Sequence, residues 1–436
     1  MERREFLHRA GLVIGAAAAS TLLPGAEAEP DQPAPAPLES HDWRSVRAQF
    51  PLASDKIHLA SFFLVSHPRP VAEAIERYRR ALDLDPIGYV HEHNGPASER
   101  VRIAAAKYMG AQADLIALTE STTMGLGLVY GGLDLKPGQE IVSTVHDHYS
   151  TQMSLQHRAE RTGAKAREIS LYDDSAAVSV DGIVEQMRKA ISDRTRVLAV
   201  TWVHSSTGVK LPVAEMSRAL DEINRRRAES ERVLFCVDGV HGFGVEDMTV
   251  ADLGCDFLIA GTHKWLFGPR GTGLIWGRRD AWRAVHPVIP SFGLNYDVWL
   301  GTADRSDVPT GDLMSPGGFH SFEHRWATTE AFQFHMRIGK DRVAKRIHEL
   351  NTMAKTELAR MKHVKLRTPM SPELSSGIIC FEVDGMRPDD VVARLARRGI
   401  IASTSPYRVS CARIAPSLVN DENEIERTIA EIKAMA

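Results

Sequence analysis

Val233-Leu-Phe-Cys-Val-Asp238-Gly-Val-His241 and Phe257-Leu-Ile-Ala-Gly-Thr-His263-Lys264-Trp265 decide the fold of this chain. Each begins as a short apolar run of strand character and ends in a polar group. The first delivers an acid, and the second delivers a lysine 26 positions after it. Further apolar runs at 115–119, 140–144, 196–203 and 273–276 are strand candidates, with helical stretches such as 182–191 and 213–229 between them. Strands alternating with amphipathic helices predict an α/β protein with a mainly parallel sheet.

A lone Asp or Lys is most often a solvated surface residue. The order Asp238, His241, His263-Lys264 and then Gly268-Pro-Arg-Gly-Thr-Gly273 is hard to explain as surface decoration. An acid and a lysine on neighbouring strand ends suit pyridoxal phosphate (PLP). The lysine takes the aldehyde as a Schiff base, and the carboxylate keeps the pyridine nitrogen protonated so that the ring acts as an electron sink. The segments resemble the lysine signature of the class V aminotransferase family of fold-type-I PLP enzymes, which includes cysteine desulfurases, kynureninase and isopenicillin-N epimerase.

The resemblance implies a large PLP-binding domain at 68–285 around a mainly parallel seven-stranded sheet. It also implies an active-site loop region at 286–320 and a small α+β C-terminal domain at 321–436, with segment 43–67 packing beside that domain. Helical character is expected over 322–362.

Other motifs fill in the expected site. Leu118-Thr-Glu-Ser121-Thr122-Thr123-Met-Gly-Leu126 is a hydroxyl-rich turn between a strand and a helix. By itself it reads as simple N-capping. In this order it resembles the family's phosphate cradle, with Ser121, Thr122 and Thr123 as donors at a helix N-terminus and His263 as a second contact. In His146-Asp147-His148 the acid-His pair resembles the family's stacking element, which makes His148 the expected ring partner and His146 its competitor. Trp202-Val-His204-Ser205-Ser-Thr-Gly208 resembles the strand end that faces the amino acid, and Ser205 is placed with the cofactor ligands. Relatives usually carry His where this chain has Trp202, and a small polar residue where it has His204. His241 resembles the residue that bonds the cofactor's phenolic oxygen. Arg413 resembles the arginine that forks onto a substrate carboxylate, a task for a planar guanidinium; Arg408 is its rival. Trp326-Ala-Thr328 resembles an element whose threonine reaches the phosphate of a neighbouring subunit, which implies a homodimer.

The net charge of −3 and the lack of a basic stripe exclude a nucleic-acid partner. Cys236, Cys255, Cys380 and Cys411 are scattered, with no metal-ligand or disulfide spacing, and are expected as small buried apolar residues. No metal site is expected. The first 28 residues carry Arg3-Arg4 ahead of Phe6-Leu7, then a short Ala-rich run and Ala26-Glu-Ala28. They resemble a twin-arginine signal cleaved near Ala28, and the apolar run is shorter than a membrane span. A Pro-rich linker follows at 29–42. Twin-arginine export machinery is thus an expected partner, and the expected location is periplasmic or secreted, with no stable membrane span after cleavage.

The layout also resembles isopenicillin-N epimerase-like enzymes and periplasmic PLP enzymes of siderophore (pyoverdine) maturation. The expected function is transamination at the Cα of an amino-acid-bearing small molecule or peptide. Epimerisation and elimination are the alternatives, and cysteine desulfuration is disfavoured because no cysteine falls on a Gly- or Ser-rich loop. A non-catalytic binding protein on this fold would have no need of both Asp238 and Lys264. Lysine keeps the charge of arginine but lacks its fork. Arg3→Lys combined with Arg4→Lys should therefore leave the protein in the cytoplasm, as fractionation would measure; normal periplasmic levels would replace the twin-arginine reading with a general secretory one.

Overall fold

The computed structural model describes residues 37–436. The proposed leader and most of the linker lie outside the described residues. After the short strand β1 (Ile57–His58), a seven-stranded sheet is built from β2 (Ile116–Thr119), β3 (Glu140–Thr144), β4 (Lys165–Ile169), β5 (Thr195–Thr201), β6 (Leu234–Asp238), β7 (Phe257–Gly261) and β8 (Gly273–Gly277). Its order is β2-β8-β7-β6-β5-β3-β4, and β8 alone runs antiparallel to its neighbours. Six of the seven strands are buried at every position, and each carries an apolar stretch in its sequence, with polar residues mainly at the ends. The seventh, β4, has no buried residue. Its Lys165-Ala-Arg-Glu-Ile169 sequence blunts an open sheet edge, so it carries no apolar run, and the strand candidates omit it.

In such a sheet, ligands bind in the crevice outside the carboxyl ends of the strands. Here those ends include Thr119, Thr144, Thr201, Asp238 and Gly261, and every motif singled out between positions 118 and 265 leaves from one of them.

A second, antiparallel sheet has the order β12-β13-β10-β9, built from β9 (Val364–Leu366), β10 (Ile379–Val383), β12 (Ser403–Thr404) and β13 (Ala412–Ile414). The N-terminal segment is tied to this region. β1 pairs in parallel with β11 (Ile400–Ile401), and Arg47 reaches the Glu424 carboxylate at 2.6 Å. The helical stretch expected at 322–362 is two helices, Phe322–Ile338 and Lys340–Ala359, broken at Gly339 with φ 100°. The region 286–320 contains the short helices Leu294–Leu300 and Thr310–Met314.

The turn after Lys264 is where the two parts are sewn together. Trp265 and Phe267 are buried in a cluster with Phe50, Phe62, Phe334 and Ile378. Phe267 has φ 56°, the one positive value recorded for a non-glycine among the described residues. A bulky residue in that region costs on the order of 1–3 kcal/mol and persists only where packing fixes it. The Phe50 ring, edge-on at 4.9 Å, supplies part of that packing.

Gly208 closes the turn after β5 with φ 76°, its N–H donating to the His204 carbonyl at 2.7 Å. A Cβ there would lie 2.5 Å from the Ile378 carbonyl oxygen and 2.4 Å from Thr368 Oγ1. Gly208→Ala should destabilise the fold by about 2–4 kcal/mol, the sum of a left-handed backbone and a steric clash. Denaturant unfolding measures it, and a loss within 0.5 kcal/mol of zero, roughly the range of ordinary surface substitutions, would refute the tight approach.

Candidate active site

Adjacency of β6 and β7 brings the acid and the lysine together. Asp238 ends β6 and is buried, with Oδ1 accepting the Val240 N–H at 3.1 Å. Burial pushes its pKa up to about 7, against the Val240 bond and the positive Lys264. Lys264 follows β7 by three residues and is half-buried. Burial lowers its pKa to about 8; Asp238 supports the charged form and Arg413 opposes it. The amine is therefore far easier to deprotonate than a free lysine.

His241 is buried, and its Nδ1 lies 3.3 Å from the Trp265 indole N–H. The indole can only donate, so Nδ1 accepts and the neutral ring carries its proton on Nε2. Burial, then Lys264 and Arg413, hold its pKa well down. Nε2–H is thus a fixed donor.

The phosphate end lies at the corner of β2, β7 and β8. Ser121 caps the helix Thr122–Gly132, accepting the Met124 N–H at 3.1 Å. The Thr122 hydroxyl is buried without a hydrogen-bond partner. A Cβ on Gly261 would lie 2.8 Å from that hydroxyl and 3.0 Å from His263 Cε1, so backbone, hydroxyl and imidazole converge there. His263 Nδ1 lies 3.2 Å from the Thr272 carbonyl, which assigns a proton to Nδ1; Nε2 can then donate to a phosphate only as the imidazolium, which burial disfavours and a bound anion would favour. Thr123 is exposed in the first helical turn. An orphaned hydroxyl, a helix N-terminus and a close-approach glycine in one corner fit a phosphate.

The histidines on the other side divide their tasks. His148 caps the helix Tyr149–Thr162, its Nδ1 accepting the Ser150 N–H at 3.2 Å. It is exposed as a residue, although enclosure of its ring comes first among the causes that lower its pKa, followed by Lys264 and Arg413. His146 turns away and stacks on Tyr172 at 3.9 Å. Trp202 packs on Gly242, where an added Cβ would fall 2.2 Å from the indole.

Arg413 lies on β13 and is buried. Its guanidinium donates to the carbonyls of Ser205 at 3.0 Å and Thr404 at 2.8 Å and to Ser403 Oγ at 3.1 Å, and it lies 4.5 Å over the Phe62 ring. Its Nε has no partner, and none of these contacts is a carboxylate. A buried cation without an anion suits a substrate carboxylate. Arg408 is exposed in the loop before β13. Ser205 Oγ lies 2.7 Å from the Tyr407 hydroxyl, and the Tyr407 ring meets His148 edge-on at 6.2 Å. Sequence patterns gave no sign of Tyr407, which sits on an irregular loop. Thr328 is buried in the helix Phe322–Ile338, where its hydroxyl donates to the His324 carbonyl at 3.2 Å.

The Aminotransferase class-V family model matches residues 66–427. A probable cysteine desulfurase of Halalkalibacterium halodurans is 28% identical over 356 residues, covering 80% of this chain and 82% of the relative. The isopenicillin N epimerase of Streptomyces clavuligerus is 24% identical over 410 residues, covering 90% of this chain and 98% of the relative. Among solved structures, the cystine C–S lyase C-DES in complex with its reaction product cysteine persulfide matches with a TM-score of 0.78 at 22% identity, over 88% of this chain and 99% of that one.

Thr122→Val removes the orphaned hydroxyl at constant volume. A hydrogen bond to a charged group contributes about 1.5–3 kcal/mol, so PLP should bind at least about tenfold more weakly, while the melting temperature of the cofactor-free protein holds or rises. Fluorescence titration with PLP reads the first effect, and unchanged affinity would remove Thr122 from the cradle.

Proposed function

Because the chain belongs to the class V aminotransferase family, whose enzymes use pyridoxal 5′-phosphate, we propose that it moves the α-proton of an amino-acid-bearing metabolite or peptide, with transamination as the outcome. The observation that carries this reading is Lys264, an amine that burial has brought to about 8 beside a buried carboxylate. Bound PLP supplies an electron sink for the charge left on the α-carbon. Asp238 holds the proton of the ring nitrogen. His241 donates through Nε2, Arg413 binds the α-carboxylate, and Lys264 takes and returns the proton.

Epimerisation is the second reading, favoured by end-to-end similarity to isopenicillin N epimerase. Sulfur transfer to a protein thiol has less support, because all four cysteines are buried. The same reading takes a homodimer as the working unit, supported by exposed Phe292, Tyr296, Trp299 and Leu300 in one stretch. It places the enzyme outside the cytoplasm, supported by Arg3-Arg4.

Borohydride treatment of the loaded protein should fix the pyridoxyl group on Lys264, and Lys264→Ala should lose it; a label on another lysine would sink the assignment. Capture of PLP by the cofactor-free protein needs the neutral amine, so its rate should rise with pH and level off above about 8. In deuterated water, substrate candidates drawn from cell extract separate the outcomes. A keto product supports transamination, deuterium at an inverted α-carbon supports epimerisation, and loss of a β-substituent supports a lyase.

A further inference from the structure

His204 lies just beyond β5 and is wholly buried. Its Nδ1 is 2.8 Å from the Tyr172 hydroxyl, which is 2.9 Å from Thr207 Oγ1. Thr207 Oγ1 also accepts the Val209 N–H at 3.4 Å, so its own proton is free for Tyr172. Thr207 can then donate to Tyr172 and Tyr172 to His204 Nδ1, and the acceptor-only carboxylate of Asp147 on the other side of the ring favours this direction, with the imidazole proton on Nε2. That nitrogen is buried without a hydrogen-bond partner, 3.9 Å from Asp147 Oδ1. Asp147 is itself buried, accepting the Thr201 N–H through Oδ1 and the Thr144 N–H through Oδ2, both at 2.7 Å. Thr201 is the register partner of Asp238, so Asp147, which follows β3, is linked to Asp238 across the end of the intervening β5.

We propose that His204, tethered through Nδ1 by Tyr172, is a positioning residue: it holds Nε2–H toward Asp147, adds to the two backbone donors that favour the charged carboxylate near Asp238, and thereby strengthens the hold on the proton of the cofactor's ring nitrogen. This rests on PLP occupying the Lys264 site. Burial pushes Asp147 up to about 6 and Asp238 up to about 7, and Asp147 is among the groups raising Asp238. The Thr144 and Thr201 groups favour the charged form of Asp147, and His204 Nε2–H faces the same carboxylate from 3.9 Å. The titratable groups facing this cluster are His146, Tyr172, Asp147 and Asp238, with Cys380 and Tyr407 beyond Tyr172. His146 stacks on Tyr172 with its ring centroid 5.2 Å from that of His204, and burial holds its pKa to about 4, so it brings no positive charge at neutral pH.

The test uses full-length protein carrying 13C-carboxyl aspartate, loaded with ring-15N PLP, and Asp147→Asn identifies the Asp147 signal. Removing the donor in His204→Leu should raise the Asp147 midpoint, and lower the pH at which the ring nitrogen loses its proton, each by about one unit. His204→Gln, whose amide replaces the Nε2 donor, should restore both, which a purely structural role would not. Tyr172→Phe releases the tautomer and should shift both in the same direction by less. Unchanged midpoints in a folded His204→Leu protein would overturn the proposal; if that variant does not fold, unchanged midpoints in Tyr172→Phe would do so. A missing ring-nitrogen signal would mean that PLP does not load, a failure of the cofactor reading, while the Asp147 midpoint would still judge the role of His204.

Discussion

The carboxylate of Asp238 and the amine of Lys264 are withdrawn from water at the ends of neighbouring strands, and much of the molecule serves to keep them there. Desolvating such groups costs several kcal/mol each, which their mutual attraction repays only in a fixed geometry. Neither settles into a plain ion pair: burial moves the acid up to about 7 and the amine down to about 8, so both remain ready to exchange protons. The rigid part of the answer is the buried parallel sheet, in which Gly239 N–H donates to the Ile259 carbonyl at 2.8 Å and ties the two strand ends. The strained part is the turn from Lys264 to Phe267, closed by a 3.0 Å backbone bond and held by aromatic packing from the N-terminal segment.

A second cation shapes what can enter. Arg413 lies close enough to lower the pKa of Lys264, His148 and His241, and no acid neutralises it among the contacts of its guanidinium. The site is therefore short of anions, and a phosphate at one end and a carboxylate at the other would supply them. Arg413 and Tyr407 come from the part of the chain that carries the antiparallel sheet, and Asp238, His241 and Lys264 from the seven-stranded sheet, so the site exists only while the two sheets stay docked. One buried cluster helps to dock them: Glu246 accepts from Lys210 at 2.8 Å, from His348 at 3.1 Å and from Ser376 at 2.5 Å. Although burial works against it, His348 and Lys210 hold Glu246 down to about 2.

How far this could be read from the sequence depended on whether a residue answers to a local rule. Buried strands announce themselves as apolar runs, which is why β6 and β7 and the polar groups that end them were legible. β4 answers to a different constraint, the protection of an edge, and shows charges instead. The capping role of Ser121 was legible because a cap is local. Tyr407 was not, since its position depends on a loop of the small domain meeting Ser205 from 202 residues away in the chain. The tautomers of His241 and His204 were illegible for the same reason: each is set by a partner, Trp265 or Tyr172, that only the fold supplies.

Cofactor and reaction separate along the same line. The groups placed to grip PLP lie at strand ends, where the sheet fixes them to a fraction of an ångström and the sequence keeps them in recognisable order. Transamination, epimerisation and elimination would all begin with loss of the same α-proton; they differ in where that proton returns and in whether a β-substituent leaves, which the carboxylate anchor and the residues around the substrate side chain would set. Those residues, Arg413, Ser205, Tyr407 and His148, lie on loops, a short strand and a helix cap, and they meet from distant parts of the chain. A small displacement of Arg413 relative to Lys264 would re-aim the substrate without disturbing the Asp238–Lys264 pair. The family can therefore share one cofactor site and still include both desulfurases and epimerases among the relatives of this chain.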